Sequence, residues 1–524
     1  MKRRLTPLAG VALVLIALVA LSSVAIAGKG KDGKGGGAYQ DSEKLRRALT
    51  VDGIGSQLER LQEIADANGG NRASGFPGHD ASADYVARTL DRAGWKVSTQ
   101  EFDFDVFFQD APTTFERISP NPQAFVEDED FATSEFSGSG NTTAELVAID
   151  LVIPPGEEAS TSNSGCEASD FDGTGVAGKI ALMQRGTCSF RVKVDNAAAA
   201  GATGAVLFNE GQPGRTDVIF ATLGGPNAAI PTVDTSFALG SEFANGVTSG
   251  ATGVTVHIET TTHSENRTTE NVIAETKGGD PDNVVMAGAH LDSVQAGPGI
   301  NDNGSGSATL IEIARQISKL KIKPENKLRF AWWGAEEEGL VGSTHYVSEL
   351  TEEEGAKVAL YLNFDMIASP NFARLIYDGN GSAFDVPGPD GSGAIERTFQ
   401  RYFDRSDLAS GQTAFDGRSD YGPFIAVGIP AGGLFTGAEN VKTEAEAALY
   451  GGTAGEAFDP CYHQACDDIE NISERGLNQM SDAVAHAVNY YAYSLKFIPR
   501  PTEAPKAKHK RAYKSKYLGD SLVK

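Results

Sequence analysis

The sequence has little positive charge. Its 45 lysines and arginines are outnumbered by 70 aspartates and glutamates, so the formal net charge is −25. Part of the positive charge lies at the two ends: Lys2, Arg3 and Arg4 at the start, and eight basic against two acidic side chains in residues 499–524. The rest of the chain is therefore more acidic than the total indicates, and it repels phosphate backbones. This argues against nucleic acid as a main partner.

Long apolar segments are also absent, with one short exception. Residues 8–21 form an apolar run that follows three cations and precedes the small-x-small pattern Ala25-Ile26-Ala27. The run is shorter than the ~20 residues that span a bilayer, and its flanks are typical of a secretory signal. We expect a cleaved signal peptide over residues 1–27, a secreted protein and no transmembrane span. The alternative is a buried N-terminal core helix.

Cysteine is scarce as well, with four residues in the whole chain. Cysteines in a secreted protein favour disulfides, and four of them permit three pairings. We expect the two sequence-local pairs, Cys166 with Cys188 and Cys461 with Cys466. Neither pair has the CxxC-like spacing of a shared metal site, so a structural role is preferred.

The residue patterns divide the remaining chain into four parts. Residues 28–40 are a Lys/Gly stretch, which predicts a flexible leader. Residues 136–262 are rich in short β-type runs, whereas residues 41–135 and 263–498 combine helical and strand patterns, with two helices before a strand from Val97. The basic tail, residues 499–524, lacks an apolar face and is predicted to be disordered, with contact to an anionic surface as the alternative.

The largest part alternates strands and helices. Its near-continuous apolar runs, Val284–Ala289, Leu328–Trp333 and Val358–Phe364, are typical of strands buried on both faces. A helical pattern follows the first of them over Ser305–Leu320, and another closes the part around Leu477–Leu495. The sequence therefore predicts an α/β fold with a mixed, largely parallel sheet flanked by helices.

Polar residues of metal-ligand type follow the predicted strands or lie in nearby loops. They are His290 and Asp292, Glu336 and Glu337, Asp365, Asp302 in the loop before a helix, and His463 between Cys461 and Cys466. In such sheets, bound molecules and ions lie at the carboxyl ends of the strands. Imidazoles and carboxylates without thiolate suit zinc, cobalt or manganese, and the surplus of carboxylates allows one to bridge two ions. This predicts a two-metal hydrolytic site for amide bonds.

The same segments resemble a known family. GAHLDSVQAGPGINDNGSGSATLIE, FAWWGAEEEGLVGSTHYV, YLNFDMI, FDGRSDYGPF and DPCYHQACD look like family M28 metallopeptidases, especially secreted bacterial aminopeptidases of the Streptomyces type. The resemblance implies the zinc-exopeptidase fold and two Zn²⁺ per chain, with Co²⁺ or Mn²⁺ as substitutes. His290 and Asp365 would hold one zinc, Glu337 and His463 the other, and Asp302 would bridge them.

The resemblance also assigns the proton-transfer residue. This sequence has three acids, Glu336, Glu337 and Glu338, where the family has two, so the register is read from Gly339 and Leu340. That register makes Glu336 the general base and acid, Glu337 the ligand and Glu338 the residue that faces away. Asp292 would accept from the His290 ring and orient it.

Further residues match substrate-contacting positions of the family. Tyr462 resembles the oxyanion stabiliser, and Met366, Arg418 and Phe435 match a pocket for the N-terminal side chain, which favours large apolar residues such as Leu. The implied substrates are peptides with a free N-terminus, and we expect a monomer. The other six histidines are read as surface or packing residues: His79, His257, His263, His345, His486 and His509.

Residues 136–262 resemble a second module. GKIALMQRGTCSF and KVDNAAAAGATGAVLFNE are similar to the protease-associated (PA) domain, a β-rich insert found in several exopeptidase and sorting-receptor families. Such an insert gates substrate or binds a partner, or it is a spacer. It would make the peptidase-like domain discontinuous.

Two other functions compete with an aminopeptidase. A carboxypeptidase or another amide hydrolase could use the same metal site, with Arg418 as the one candidate cation for a C-terminal carboxylate. A non-catalytic binding protein could combine a PA domain with a degenerate peptidase domain. Here the full set of ligands and the base are present, which favours an enzyme.

Overall fold

The computed structural model describes residues 35–157 and 160–499. The predicted signal peptide, residues 28–34 of the predicted leader, His509 and the tail from residue 500 onward lie outside the described residues. In the described part, no helix combines the length and the apolar character that a membrane crossing requires.

Helices and strands alternate along most of the chain. The helices are α1 (Gly35–Ala48), α2 (Val51–Ala67), α3 (Pro77–Ala93), α4 (Phe190–Ala199), α5 (Phe237–Ala244), α6 (Ser305–Lys319), α7 (Val341–Glu349), α8 (Glu352–Lys357), α9 (Ser392–Arg405), α10 (Tyr421–Ala426), α11 (Glu444–Tyr450) and α12 (Glu474–Tyr493). The strands are β1 (Lys96–Ser119), β2 (Gln123–Ala124), β3 (Phe131–Thr133), β4 (Gly140–Ala148), β5 (Ile180–Gln184), β6 (Gly204–Phe208), β7 (Thr232–Thr235), β8 (Gly250–Glu275), β9 (Asp280–His290), β10 (Asn326–Trp333), β11 (Val358–Phe364), β12 (Leu375–Tyr377), β13 (Gly411–Thr413) and β14 (Ala431–Phe435).

One continuous sheet runs through the molecule in the order β13-β12-β14-β11-β9-β10-β8-β4-β5-β6-β7-β3. In its C-terminal half, β9 pairs in parallel with β10 and with β11, and β11 pairs in parallel with β14. The edge strand β12 is antiparallel to β14. The prediction of a mixed, largely parallel sheet flanked by helices is therefore confirmed.

The apolar strands bury both of their faces. In β10, Leu328, Phe330 and Trp332 pack into one core, and Ala331 and Trp333 pack into another on the opposite face, as the period of two in a strand requires. The first core is covered by α6 and α12, and the second by α7 and α10. The central strands are thereby held rigidly, and their carboxyl ends come to one edge.

The strands β1 and β8 form a long antiparallel ribbon. Their pairing extends from Lys96 opposite Glu275 to Ser119 opposite Thr255. At one end the ribbon joins the main sheet through β10, and at the other β8 pairs with β4. The ribbon therefore carries the inserted β-rich unit out of the main sheet without a flexible linker.

The predicted boundaries of this insert need correction. Phe115, Phe125 and Phe131 precede residue 136, yet they pack with Val206 and Phe208 in a core of the insert. The later boundary, between residues 262 and 263, falls within β8. The strands β1 and β8 continue unbroken from one unit into the other. For this reason, no change in the residue pattern marks the boundary between the two units.

The N-terminal region differs from the prediction in two ways. Three helices precede β1 rather than two, since Leu45 belongs to α1 and not to α2. Helix α1 begins at Gly35, so residues 35–40 of the predicted leader are helical. Leu45, near the end of α1, and Leu49, directly after the helix, are both buried in the core that α12 also enters, and this packing anchors α1.

Both predicted disulfides are present. Cys166 is bonded to Cys188 with a Cα–Cα distance of 5.8 Å, and Cys461 to Cys466 with 5.3 Å. The first lies within the insert, and the second closes a five-residue interval around His463. The second disulfide therefore restrains one of the candidate ligands.

Candidate metal centre

The fold brings the predicted ligands to one edge of the sheet. His290 is the last residue of β9, and Asp365 directly follows β11, its parallel neighbour. Glu336 and Glu337 lie in the turn after β10, the other neighbour of β9. Asp302 lies in the turn Ile300–Gly304 that leads into α6. Parallel strands end at the same edge, so these side chains converge.

Two donor groups share Asp302: one consists of His290, Asp302 and Asp365, and the other of Asp302, Glu337 and His463. His290 Nε2 lies 3.1 Å from Asp302 Oδ1 and 3.2 Å from Asp365 Oδ1. His463 Nε2 lies 3.3 Å from the other Asp302 oxygen, Oδ2, and 3.1 Å from Glu337 Oε2. In each group the donor atoms all lie within 4.8 Å of one another. One carboxylate therefore faces both groups, with one oxygen turned to each.

The charges of this cluster are closely coupled. Burial lowers the pKa of His463, but the carboxylates of Glu337 and Asp302 outweigh it and raise the pKa to about 9. For His290 the carboxylates of Asp365 and Glu336 likewise outweigh burial, and the pKa is well above its usual value. Burial would raise the pKa of Asp302, but the two imidazoles hold it below its usual value. The cluster therefore favours positive charge between its carboxylates.

The donor set fits divalent metal ions. Each group offers one imidazole nitrogen and two carboxylates, the ligand types of zinc sites that contain no thiolate. Among the described residues, the buried Glu337 Oε1 and Asp292 Oδ1 have no hydrogen-bond partner. Metal binding displaces the proton of a ligating imidazole, which would remove the positive charge that the carboxylates now hold on His290 and His463.

Glu336 lies beside the centre without joining either group. Its Oε2 is 3.9 Å from His290 Nε2, and the residue is 8% exposed. Burial raises the pKa of Glu336 well above its usual value. Glu338 is half-buried and also belongs to neither group. A carboxylate near the donors but outside both groups is suited to accept and return a proton.

Asp292 contacts both the His290 ring and the turn that carries Glu337. Its contact with the ring differs from the prediction, which assigned that contact to the side chain. His290 Nδ1 lies 3.2 Å from the backbone carbonyl oxygen of Asp292 and 3.6 Å from its carboxylate Oδ1. Asp292 Oδ2 accepts the backbone N–H of Glu337 at 3.3 Å. Asp292 therefore orients His290 mainly through its main chain, and its side chain supports the Glu337 turn.

Tyr462 and Arg418 contact each other at the rim of the centre. Arg418 Nη2 donates to the Tyr462 hydroxyl at 3.1 Å, and Nη1 donates to Glu439 Oε1 at 2.7 Å. The Tyr462 ring stacks on the ring of His463, with centroids 3.8 Å apart. Glu439 escaped the sequence analysis because nothing in its local sequence marks it as a partner of Arg418.

Met366 and Phe435 lie at the ends of neighbouring strands. Met366 follows β11 and is 3% exposed, and Phe435 ends β14, the parallel neighbour of β11. The Met366 amide donates to Asn303 Oδ1 at 3.2 Å, beside the Asp302 turn. Both positions thus lie next to the strand that ends directly before Asp365, one of the proposed ligands.

Two supporting residues were missed by the sequence analysis. Ser419 Oγ donates to Asp365 Oδ2 at 2.5 Å. Asp467 accepts the backbone N–H groups of Asn301 and Asp302, each at 2.9 Å. The position of Asp467, directly after the Cys461–Cys466 loop, was the one available signal for its role.

The remaining described histidines lie outside both donor groups. His79 contacts the backbone carbonyl of Glu270, His345 stacks on Phe102, and His486 contacts Ser42. His263 lies 2.7 Å from Asp110 at the surface. His257 lies on β8.

Comparison with known proteins adds independent findings. Residues 271–488 match the family model of Peptidase family M28, and residues 142–243 match that of the PA domain. An aminopeptidase of Pseudomonas aeruginosa (strain UCBPP-PA14) is 47% identical over 87% of this chain and 83% of its own length. Leucine aminopeptidase 2 of Trichophyton tonsurans is 42% identical over 89% of each chain. The solved structure of an aminopeptidase from Aneurinibacillus sp. strain AM-1 covers 88% of this chain and 99% of its own, with 25% identity and a TM-score of 0.67.

Proposed function

The chain belongs to peptidase family M28, and on that premise we propose that it is a secreted aminopeptidase that uses two zinc ions and prefers large apolar N-terminal residues. The coarser part of this statement, a metallo-aminopeptidase with a PA domain, follows from the family and the relatives. The observation that supports two ions rather than one is Asp302, whose two oxygens face two separate donor groups.

The proposed ligand roles follow the two groups. His290 and Asp365 would hold one ion, Glu337 and His463 the other, and Asp302 would contact both. When bound, two zinc ions supply Lewis acidity, which lowers the pKa of a water and polarises the scissile carbonyl. Ser419 and Asp467 would hold Asp365 and Asp302 in place through the hydrogen bonds described above.

Glu336 would move the protons. Its buried carboxylate lies next to the donors but in neither group, so it is available to take a proton from the attacking water and to return it to the leaving amine. Burial favours the protonated carboxyl, which suits the second of these steps.

Tyr462 would stabilise the oxyanion. Arg418 donates to the Tyr462 hydroxyl oxygen, which leaves the hydroxyl hydrogen free to donate toward the developing negative charge. Met366 and Phe435 would line the pocket for the N-terminal side chain. The name of the Trichophyton tonsurans relative, leucine aminopeptidase 2, supports leucine as a preferred residue.

The pairing of Arg418 disfavours a carboxypeptidase. A carboxypeptidase needs a cation for the C-terminal carboxylate of its substrate, and Arg418 was the one candidate in the sequence. In the structure Glu439 already pairs with its guanidinium at 2.7 Å. Secretion, a monomeric state and contact of the basic tail with an anionic surface stay predictions from the sequence.

Activity on leucine p-nitroanilide tests the proposal. We expect hydrolysis that is lost after dialysis against a chelator and restored by two equivalents of Zn²⁺, because the ligand set provides two sites. N-acetyl-leucine p-nitroanilide serves as the control and should remain uncleaved. Cleavage of the acetylated substrate at an equal rate, or full activity in the chelated protein, would contradict the proposal.

A further inference from the structure

Arg72 lies buried against the loop that joins two metal-ligand positions. It belongs to the turn between α2 and α3 and is 0% exposed. Its Nε donates to the Pro298 carbonyl at 2.9 Å, Nη2 to the Gly299 carbonyl at 2.5 Å and Nη1 to the Leu291 carbonyl. All three nitrogens of one guanidinium group therefore bind the main chain of a single loop.

The loop, residues 291–299, connects His290 with the Asp302 turn. Leu291 directly follows His290, and Gly299 lies three residues before Asp302. It contains no helix or strand, so its buried carbonyls need donors from elsewhere in the protein. Arg72 supplies donors at both ends of the loop at once, and this links the positions of the two ends.

The residues around Arg72 support the same region. The Arg72 amide donates to Ser293 Oγ at 2.9 Å, and Asn71 Nδ2 donates to the Gln295 carbonyl at 3.2 Å. Ser74 Oγ accepts the Ala335 amide at 2.7 Å, directly before Glu336. The short segment 71–74 thus contacts the loop 291–299, which lies between two proposed ligands, and the turn that carries the proposed base.

The charge of Arg72 matches this location. An isolated cation is costly to bury, but the carboxylates of Asp292, Asp467, Asp302 and Glu337 all act on this guanidinium. A lysine at this position could not make the same three hydrogen bonds. Its ammonium group is a point charge and lacks the rigid, planar fork that reaches three separate acceptors.

We propose that Arg72 is a positioning residue for the metal centre: by tying Leu291, Pro298 and Gly299 together it sets the spacing of His290 and Asp302, and thereby the affinity for zinc. This inference rests on the proposed function, because it takes His290 and Asp302 as ligands. It predicts an effect on metal affinity beyond any effect on the stability of the fold.

Arg72→Lys tests the inference, with Arg374→Lys as the matched control. Arg374 is 2% exposed and also donates to a main-chain carbonyl, that of Ala409, and to Gln479 Oε1. We would measure the zinc dissociation constant by competition with a chelator, and the Tm of the zinc-free protein. We expect Arg72→Lys to weaken zinc binding about 10- to 100-fold, as changes next to ligands do, and Arg374→Lys to bind zinc like the unaltered protein.

Two results would overturn the inference. One is a zinc affinity of Arg72→Lys within about threefold of the unaltered protein, well short of the usual effect of such a change. The other is an equal loss of affinity in Arg374→Lys. Should Arg72→Lys not fold, Ser293→Ala replaces it, because it removes the acceptor of the Arg72 amide on the same loop; weaker zinc binding supports the inference, and unchanged binding overturns it. An unaltered protein that holds fewer than two zinc ions would instead overturn the proposed function.

Discussion

Glu336, Glu337 and Glu338 are chemically identical neighbours with three different surroundings. Glu337 joins a donor group, Glu336 lies 3.9 Å from His290 without joining either group, and Glu338 is half-buried outside them. The backbone turn after β10 produces this division, because it points consecutive side chains in different directions. Position in the fold therefore separates a proposed ligand from a proposed base.

The proposed base can be tested at this scale. Glu336→Gln keeps the size of the side chain but cannot accept a proton, so we expect kcat on leucine p-nitroanilide to fall about 100- to 10,000-fold. Zinc content should equal that of the unaltered protein, since Glu336 is in neither donor group.

Glu338→Gln is the matched control for this experiment and should leave kcat nearly unchanged. A Glu336→Gln variant as active as the unaltered protein would remove Glu336 from the mechanism. Equal losses in the two variants would mean that the register of the three acids is misassigned.

The contact between α1 and α12 gives a prediction at the scale of elements. His486 on α12 lies 2.8 Å from Ser42 Oγ on α1 and stacks on Tyr402 of α9. Burial, with a smaller effect of Arg46, lowers the pKa of His486 to about 4. The unfolded chain has the ordinary pKa near 6.5, so between these values it binds more protons than the folded protein.

Stability should therefore fall as the pH decreases from 6.5 toward 4. For His486 alone we expect a loss of about 2 kcal/mol between pH 7.5 and pH 5. The measurement is the free energy of unfolding of the zinc-free protein at both values, compared with His486→Gln, which should show a smaller difference.

Asp482 has the opposite effect on the pH dependence of stability. It is present both in the unaltered protein and in His486→Gln. Burial raises its pKa to about 6 despite Arg46, so its folded form binds the extra proton and its contribution falls as the pH rises through that range. The comparison between variants cancels this effect. Equal pH dependence in the two proteins would show that burial does not lower the pKa of His486.

At the scale of the whole molecule, one sheet serves two units. The β1–β8 ribbon pairs over more than twenty residues and connects the core around β9 and β10 with the cores of the insert. Gln295, in the loop that Arg72 holds, also contacts this ribbon through the Phe107 carbonyl at 3.3 Å. The insert is thus structurally continuous with the ligand-bearing region.

Net charge is the second property at this scale. With −25 on the chain, the protein should attract cationic peptides at low ionic strength. We expect kcat/KM for leucyl peptides with two C-terminal lysines to fall several-fold when salt rises from 10 mM to 500 mM, because the Debye length shortens from about 30 Å toward 4 Å.

An uncharged leucyl peptide of the same length is the control and should show little salt dependence. Identical salt dependence for the two peptides would mean that the net negative charge of the protein does not affect its association with the substrate.

The local structure and the predicted ligand types could be read from the amino-acid sequence alone. Apolar runs that end at His290, before Glu336 and before Asp365 predicted both the strands and the ligand types, because side-chain pattern and strand formation are local properties. The two disulfide pairs are likewise close in sequence, with separations of 22 and 5. Family motifs added the register that predicts Glu336 as the base and Glu337 as the ligand.

Which distant residues come into contact is apparent only in the folded protein. Arg72 and Pro298 are 226 positions apart, and Asn301 and Asp467 are 166 apart, so no local pattern connects them. The start of the insert before residue 136 was hidden for the same reason, since Phe115 and Phe125 find their partners across the sheet. Periodicity reports the face that a residue turns to the core, whereas a partner at long range is chosen by packing and hydrogen bonding that form only when the chain has folded.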